Sequence, residues 1–349
     1  MLNSTCESEG DNGPFFSTFL VAFSIDLKQI KLKNKLQQTH ILRFTTQSGQ
    51  SFEDIPLSYQ LFGKPLHTAP IILINHALTG NSDVAGEKGW WNTLVGEDKV
   101  IDLNRYTVLS FNVPGNGYDE FLLDEYAAFS AYDVAAIFIK GLEQLNISHL
   151  DTLIGGSVGG SIGWEMLVQK PDLADRFIPV ATDHKTSDWL HSQCLVQKFL
   201  LESEEQPLEK ARLHAMLCYR TPDSLNVRFK GEKVEDQSIL KSHDWLNYHG
   251  RSLSQRFTLK AYRLMNHLLM NISTTQEQIS KINAEIYLIS VDSDLFYPAF
   301  EIKNTYQFLK NSNKNVHYNE IKSIHGHDAF LMEYEQLNQI LEPIFKQND

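Results

Sequence analysis

Apolar residues along this chain come in short continuous runs rather than in alternation with polar ones. Ile71 to Ile74, Leu150 to Ile154, Phe177 to Ala181 and Ile286 to Val291 are of this kind, as is Tyr106 to Phe111, broken only by Thr107 and Ser110. A strand covered on both faces reads this way, because neither face meets water. Such runs, separated by longer stretches of helical character, predict a mostly parallel sheet with helices on both sides. Two more strands are expected near the start, Ile41 to Thr45 and Ile55 to Phe62, with the turn formers Ser48-Gly49-Gln50 between them. Val316 to Ile321 is the last strand expected, followed by a helix from about Phe330 to Phe345.

Between about Asp183 and Lys281 the strand pattern stops. Helical spacing replaces it, first in Trp189, Leu190, Val196 and Leu200, then in Leu208, Ala211, Ala215 and Met216, then in Tyr262, Met265, Leu268 and Leu269. The expected organisation is therefore an α/β core from 39–182 and 282–349, interrupted by a helical lid at 183–281. Residues 1–38 read as a weakly structured leader that ends in Lys28, Lys31, Lys33 and Lys35. Within it Phe15 to Ile25 is apolar, but Glu7, Glu9 and Asp11 precede it where a signal peptide is basic. No run is long enough to span a bilayer, so a cytoplasmic protein is expected.

Composition narrows the function. The 349 residues are 42% hydrophobic and 21% charged, the balance of a globular enzyme. A net charge of −12 argues against nucleic acid, although a local basic pocket can still take an anionic coenzyme. Three cysteines, Cys6, Cys194 and Cys218, form neither a metal nor a disulfide pattern and are expected to be free thiols. No Walker loop, dinucleotide fingerprint or zinc spacing occurs, so no metal is expected.

The chemistry is written in Gly155-Gly156-Ser157-Val158-Gly159, which falls between the strand at Leu150 to Ile154 and a helix-like run from Ile162 to Val168. A tight strand-to-helix turn holds a serine hydroxyl exposed, as a nucleophile requires. An acid and then a histidine should follow along the chain. Asp292 and Asp294 both lie just past the strand at Ile286 to Val291; Asp294 is preferred, because Leu295-Phe296-Tyr297 can bury it. His325 and His327 both follow the last strand. The oxyanion donors expected are the backbone N–H groups of Val158 and of Leu78, in the loop after Ile71 to Ile74.

At these residues the chain resembles the homoserine O-acetyltransferase family, which has the α/β-hydrolase fold. The matching pieces are His76-Ala77-Leu78-Thr79-Gly80, Gly155 to Gly160, Ser293-Asp294-Leu295-Phe296 and Gly326-His327-Asp328-Ala329-Phe330-Leu331. Tyr248-His249-Gly250 and Arg256-Phe257 in the insertion match as well. The resemblance selects His327 over His325 as the base. It implies acetylation of Ser157 by acetyl-CoA, transfer to L-homoserine for methionine synthesis, and no permanently bound cofactor. It also implies that Arg212 and Asp328 hold the amino acid. A homodimer is compatible with it.

Two departures keep the substrate open. Pro114-Gly115-Asn116-Gly117-Tyr118-Asp119 stands where the family usually has a glycine- and serine-rich stretch, and His249 where it commonly has glutamine. The alternatives are another hydroxy amino acid or acyl-CoA (serine, succinyl), a serine esterase, or a non-catalytic receptor on the same fold.

Overall fold

The apolar runs become the middle of one eight-stranded sheet. The computed structural model describes residues 35–235 and 238–346, so most of the expected leader, with Cys6, Lys28, Lys31 and Lys33, lies outside the described residues. The strands are β1 (Gln37–Thr45), β2 (Ser51–Gly63), β3 (Ile71–Asn75), β4 (Thr107–Phe111), β5 (Leu150–Gly156), β6 (Ala174–Val180), β7 (Glu285–Val291) and β8 (Val316–Ile321). They lie in the order β1-β2-β4-β3-β5-β6-β7-β8. From β4 to β8 every pairing is parallel, whereas β1 and β2 pair antiparallel with each other and β2 pairs antiparallel with β4.

Each central strand feeds two cores, which is why its apolar run is continuous. Leu73 and Leu153 face one apolar cluster, together with Phe138, Trp164 and Phe177. Ile72, Ile74 and Ile154 face the other, with Trp91, Leu341 and Phe345. β1 sits at the sheet's edge and mixes exposed positions with the buried Ile41 and Phe44 instead.

The helices of the core are α1 (Ala131–Gln144), α2 (Val158–Gln169), α9 (Ala299–Asn311) and α10 (Tyr334–Lys346), with the insertion between α2 and α9 supplying α3 (Asp188–Leu201), α4 (Pro207–Tyr219), α5 (Pro222–Phe229), α6 (Lys241–Ser254), α7 (Leu259–Met270) and α8 (Gln276–Ile279). Sequence reading singled out neither α1 nor α9. The first was marked by a capping box, in which Ser130 and Asp133 satisfy each other's backbone N–H.

Several boundaries differ from expectation, and β2 begins at Ser51 rather than Ile55. β1 starts at Gln37, inside the expected leader, because Gln37 and Gln38 pair with Tyr59 and Ser58. β6 begins at Ala174 and ends before Ala181, whose φ of 49° leaves the strand region. The last helix is two pieces, a 3₁₀ turn at Gly326–Leu331 and then α10.

The insertion leaves and rejoins the core at one place. Thr186 N–H donates to Ile272 O (3.0 Å), and Thr274 Oγ1 donates to His184 O (2.5 Å). Among the described residues no helix is long and apolar enough to cross a membrane.

Candidate active site

Ser157 stands at the sharp turn between β5 and α2. Its φ of 54° and ψ of −131° are strained for a residue with a Cβ. The turn is held because Ser157 N–H donates to Val180 O on the neighbouring strand (2.9 Å). It closes only because Gly159 has no side chain: a Cβ there would lie 2.4 Å from Asn75 O and 2.6 Å from His76 O. The loop after β3 therefore rests directly on the turn.

A hydrogen-bond relay runs from this serine. His327 Nε2 is 2.9 Å from Ser157 Oγ, and His327 Nδ1 is 2.7 Å from Asp294 Oδ2. The other oxygen of Asp294 accepts the N–H groups of Phe296 (2.7 Å) and Tyr297 (2.9 Å). All three side chains are buried. Four rings surround the imidazole, those of Phe296, Phe330, Tyr219 and Tyr297, with centroids 5.1–5.8 Å away. A carboxylate bonded to Nδ1–H leaves Nε2 free to accept the serine's proton.

The rejected alternatives have other partners. Asp292 is a third exposed, accepts Ser323 N–H (3.0 Å) and faces Lys322 (3.6 Å). His325 bonds Ser224 Oγ (2.9 Å) and Arg220 Nη2 (3.1 Å). Neither residue enters the relay.

Leu78 and Val158 come to the same edge of the sheet, because Asn75 of β3 is the register partner of Gly155 of β5. The loop carrying Leu78 is braced from behind by His76. Its Nδ1–H donates to Ala77 O (2.8 Å), and its Nε2 accepts Val113 N–H (3.1 Å) with Asn116 Nδ2 at 3.3 Å. Burial lowers the His76 imidazole to about 4, with the Ala77 carbonyl pulling the other way. It stays neutral and keeps this tautomer. Asn116 belongs to the Pro114–Asp119 departure, so that stretch has a structural part in the site. Asn112 extends the brace to Ser82 N–H (2.8 Å) and Ser58 Oγ (2.9 Å).

The helical insertion supplies the other wall. Arg212 on α4 is half-buried, with its guanidinium 5.7 Å from the Tyr219 ring. Among the described residues it has no hydrogen bond or ion pair. Burial raises the Asp328 carboxyl above its ordinary range, while Arg212, His327 and Arg220 oppose that. Sequence reasoning missed Arg220. It is buried, bonds Ser224 Oγ through Nε (3.0 Å) and Nη2 (2.6 Å), and reaches within 3.8 Å of Asp328. Nothing in the local sequence marks it, since its role depends on a loop about a hundred residues away. Arg256 ties the insertion to the other loop by donating to Thr79 O (3.0 Å). Among the described residues no His, Cys, Asp and Glu group could hold a metal ion.

Residues 70–319 match the family model described as alpha/beta hydrolase fold. The homoserine O-acetyltransferase of Cyclobacterium marinum is 29% identical over 335 residues, covering 87% of this chain and 93% of its own. That of Deinococcus radiodurans is 28% identical, covering 83% and 86%. Among solved structures, homoserine O-acetyltransferase from Bacillus anthracis superposes with a TM-score of 0.80 at 20% identity, covering 90% and 98%. An acetylester hydrolase from Corynebacterium glutamicum gives 0.74 at 18% identity, covering 91% and 97%.

Proposed function

The chain belongs to the α/β-hydrolase fold family, and from that premise we propose that it is an acyltransferase working through an acyl-Ser157 intermediate. The donor is acetyl-CoA and the acceptor the hydroxyl of L-homoserine, a step of methionine synthesis in the cytoplasm. Relatives named homoserine O-acetyltransferase, matched over most of their own length, support this reading.

One observation carries the choice of acceptor. Arg212, a half-buried guanidinium without an ion pair among the described residues, stands near Asp328, the residue after His327. An amino acid is a zwitterion. Its carboxylate suits the planar fork of Arg212 and its ammonium suits Asp328. A plain esterase has no need of that pair.

The reaction follows from the relay. His327 Nε2 takes the proton of Ser157 Oγ as the oxygen attacks the thioester carbonyl, and the N–H groups of Leu78 and Val158 receive the developing oxyanion. The carbon–sulfur bond breaks, and the thiol leaves with the proton from His327. Homoserine then enters beneath the helical lid. His327 takes the proton of its hydroxyl, the oxygen attacks the acyl carbon, and the serine leaves as it is reprotonated. Asp294 stabilises the imidazolium formed in each half-reaction.

Mass spectrometry of the protein mixed with acetyl-CoA alone tests this. An acetyl adduct on Ser157 is expected, and Ser157→Ala should lose turnover by about 10⁴-fold. Undiminished activity in that variant sinks the assignment.

A further inference from the structure

The lid carries a second cluster of charge that the relay does not use. Arg212 in α4, Arg220 just past its end and Arg228 in α5 recur at intervals of eight residues. Arg220 is buried beside Asp328, with its guanidinium 5.9 Å from the Trp245 ring. Arg228 is exposed and lies over the same ring at 5.5 Å and over Phe229 at 5.4 Å. The His249 ring closes the group, 4.4 Å from Trp245 and 5.6 Å from Tyr248. A cationic track thus leads from Asp328, next to the relay, through Arg220 and Trp245 to Arg228 at the surface.

Among the described residues no carboxylate forms an ion pair with Arg228. One carboxylate, Asp328, faces the guanidiniums of Arg212 and Arg220. Burial and the three arginines of the cluster hold His249 down to about 4, so it remains a neutral hydrogen-bonding group. In a chain of net charge −12 this is a local reversal of sign, and such a patch draws anions against the general repulsion.

The track constrains the anion. Its inner end already serves an amino acid of no net charge, and the unmatched cation is at the outer end. A ligand that fits carries negative charge far from its reacting group, joined by an uncharged arm. The exposed face of Tyr248, 59% accessible, and the ring of Trp245 offer stacking surface for a base beside that charge. A coenzyme A thioester has this form. We propose that Arg228, with Trp245 and His249, binds the phosphate-bearing nucleotide end of the acyl donor.

This rests on the acyl-transfer reading above, and the two fail separately. Calorimetric titration with coenzyme A, pantetheine, adenosine 3′,5′-bisphosphate and inorganic phosphate tests the site without any reaction. Wild type should bind coenzyme A at least about tenfold tighter than pantetheine, and the bisphosphate should compete. Arg228→Gln, an exposed substitution that keeps length and polarity, should shrink that gap to about threefold or less, and Arg228→Lys should restore part of it. Equal affinity for coenzyme A and pantetheine in wild type overturns the proposal. So does a gap that Arg228→Gln leaves intact, or competition by inorganic phosphate as strong as by the bisphosphate. A missing acetyl adduct on Ser157 defeats the acyl-transfer reading instead, whatever the titration gives.

Discussion

Single residues carry the sharpest consequences, because two acids sit two positions apart with opposite surroundings. Asp294 is buried and spends both oxygens on His327 and on two backbone N–H groups, whereas Asp292 is partly solvated and paired with Lys322. Asp294→Asn should cut acylation of Ser157 by about 10³- to 10⁴-fold without unfolding the chain, since the imidazole loses its tautomer and its countercharge. Asp292→Asn should stay within about threefold. Acylation rates for both variants, with circular dichroism as the folding control, decide this, and a reversal would move the acid to Asp292. Ser157 and the candidate acids could be picked out in the sequence because they follow strands, whereas His327 was preferred to His325 chiefly through the family resemblance, since both follow the last strand. Arg220 and the His76–Asn116 brace were not legible. Their meaning lies in contacts with distant segments, and neither has a local spacing that announces it.

Among the elements, the turn between β5 and α2 and the loop after β3 behave as one unit. Asn75 Nδ2 donates to Gly159 O (3.1 Å), and the missing Cβ of Gly159 lets the two backbones touch. Gly159→Ala should push the Leu78 loop away from Ser157 and slow acylation by about 10²-fold, the scale of a displacement near 1 Å. Stopped-flow acylation with p-nitrophenyl acetate measures it, and a rate within about threefold of wild type would show that this contact does not position the loop. The strands were readable because an apolar run buried on both faces resembles little else. The helical insertion was readable as a change of period. Its closeness to the His327 loop was not, because Thr221 Oγ1 donating to Ile324 O, and Gly326 packed under Tyr219 O, are tertiary facts.

At the scale of the whole molecule, the root of the helical insertion gives folding a pH dependence. Asp183 accepts His184 N–H (2.8 Å) and Thr305 Oγ1–H (2.7 Å). Burial pushes its carboxyl up to about 7; those two hydrogen bonds and Lys185 oppose the rise, and Glu301 adds to it. The folded chain therefore binds this proton more tightly than the unfolded one. Its contribution to stability is fully present below the ordinary carboxyl range and is lost as pH rises through about 7. Asp183→Asn cannot titrate, so its Tm relative to wild type should rise between about pH 5 and about pH 8. His76 and His184, lowered to about 4 by burial, act in the opposite direction but are common to both proteins and cancel in the difference. A flat difference would mean that Asp183 is charged in the fold throughout. On the proposed function, an amino acid positioned under the helical insertion outcompetes water for the acyl group. The direct measurement is the decay of acetyl-Ser157, formed with acetyl-CoA, freed of donor and followed by mass spectrometry with and without L-homoserine. Decay should be faster by about 10²-fold or more with homoserine, yielding O-acetylhomoserine; a single rate in both cases, with acetate as the product, would contradict it.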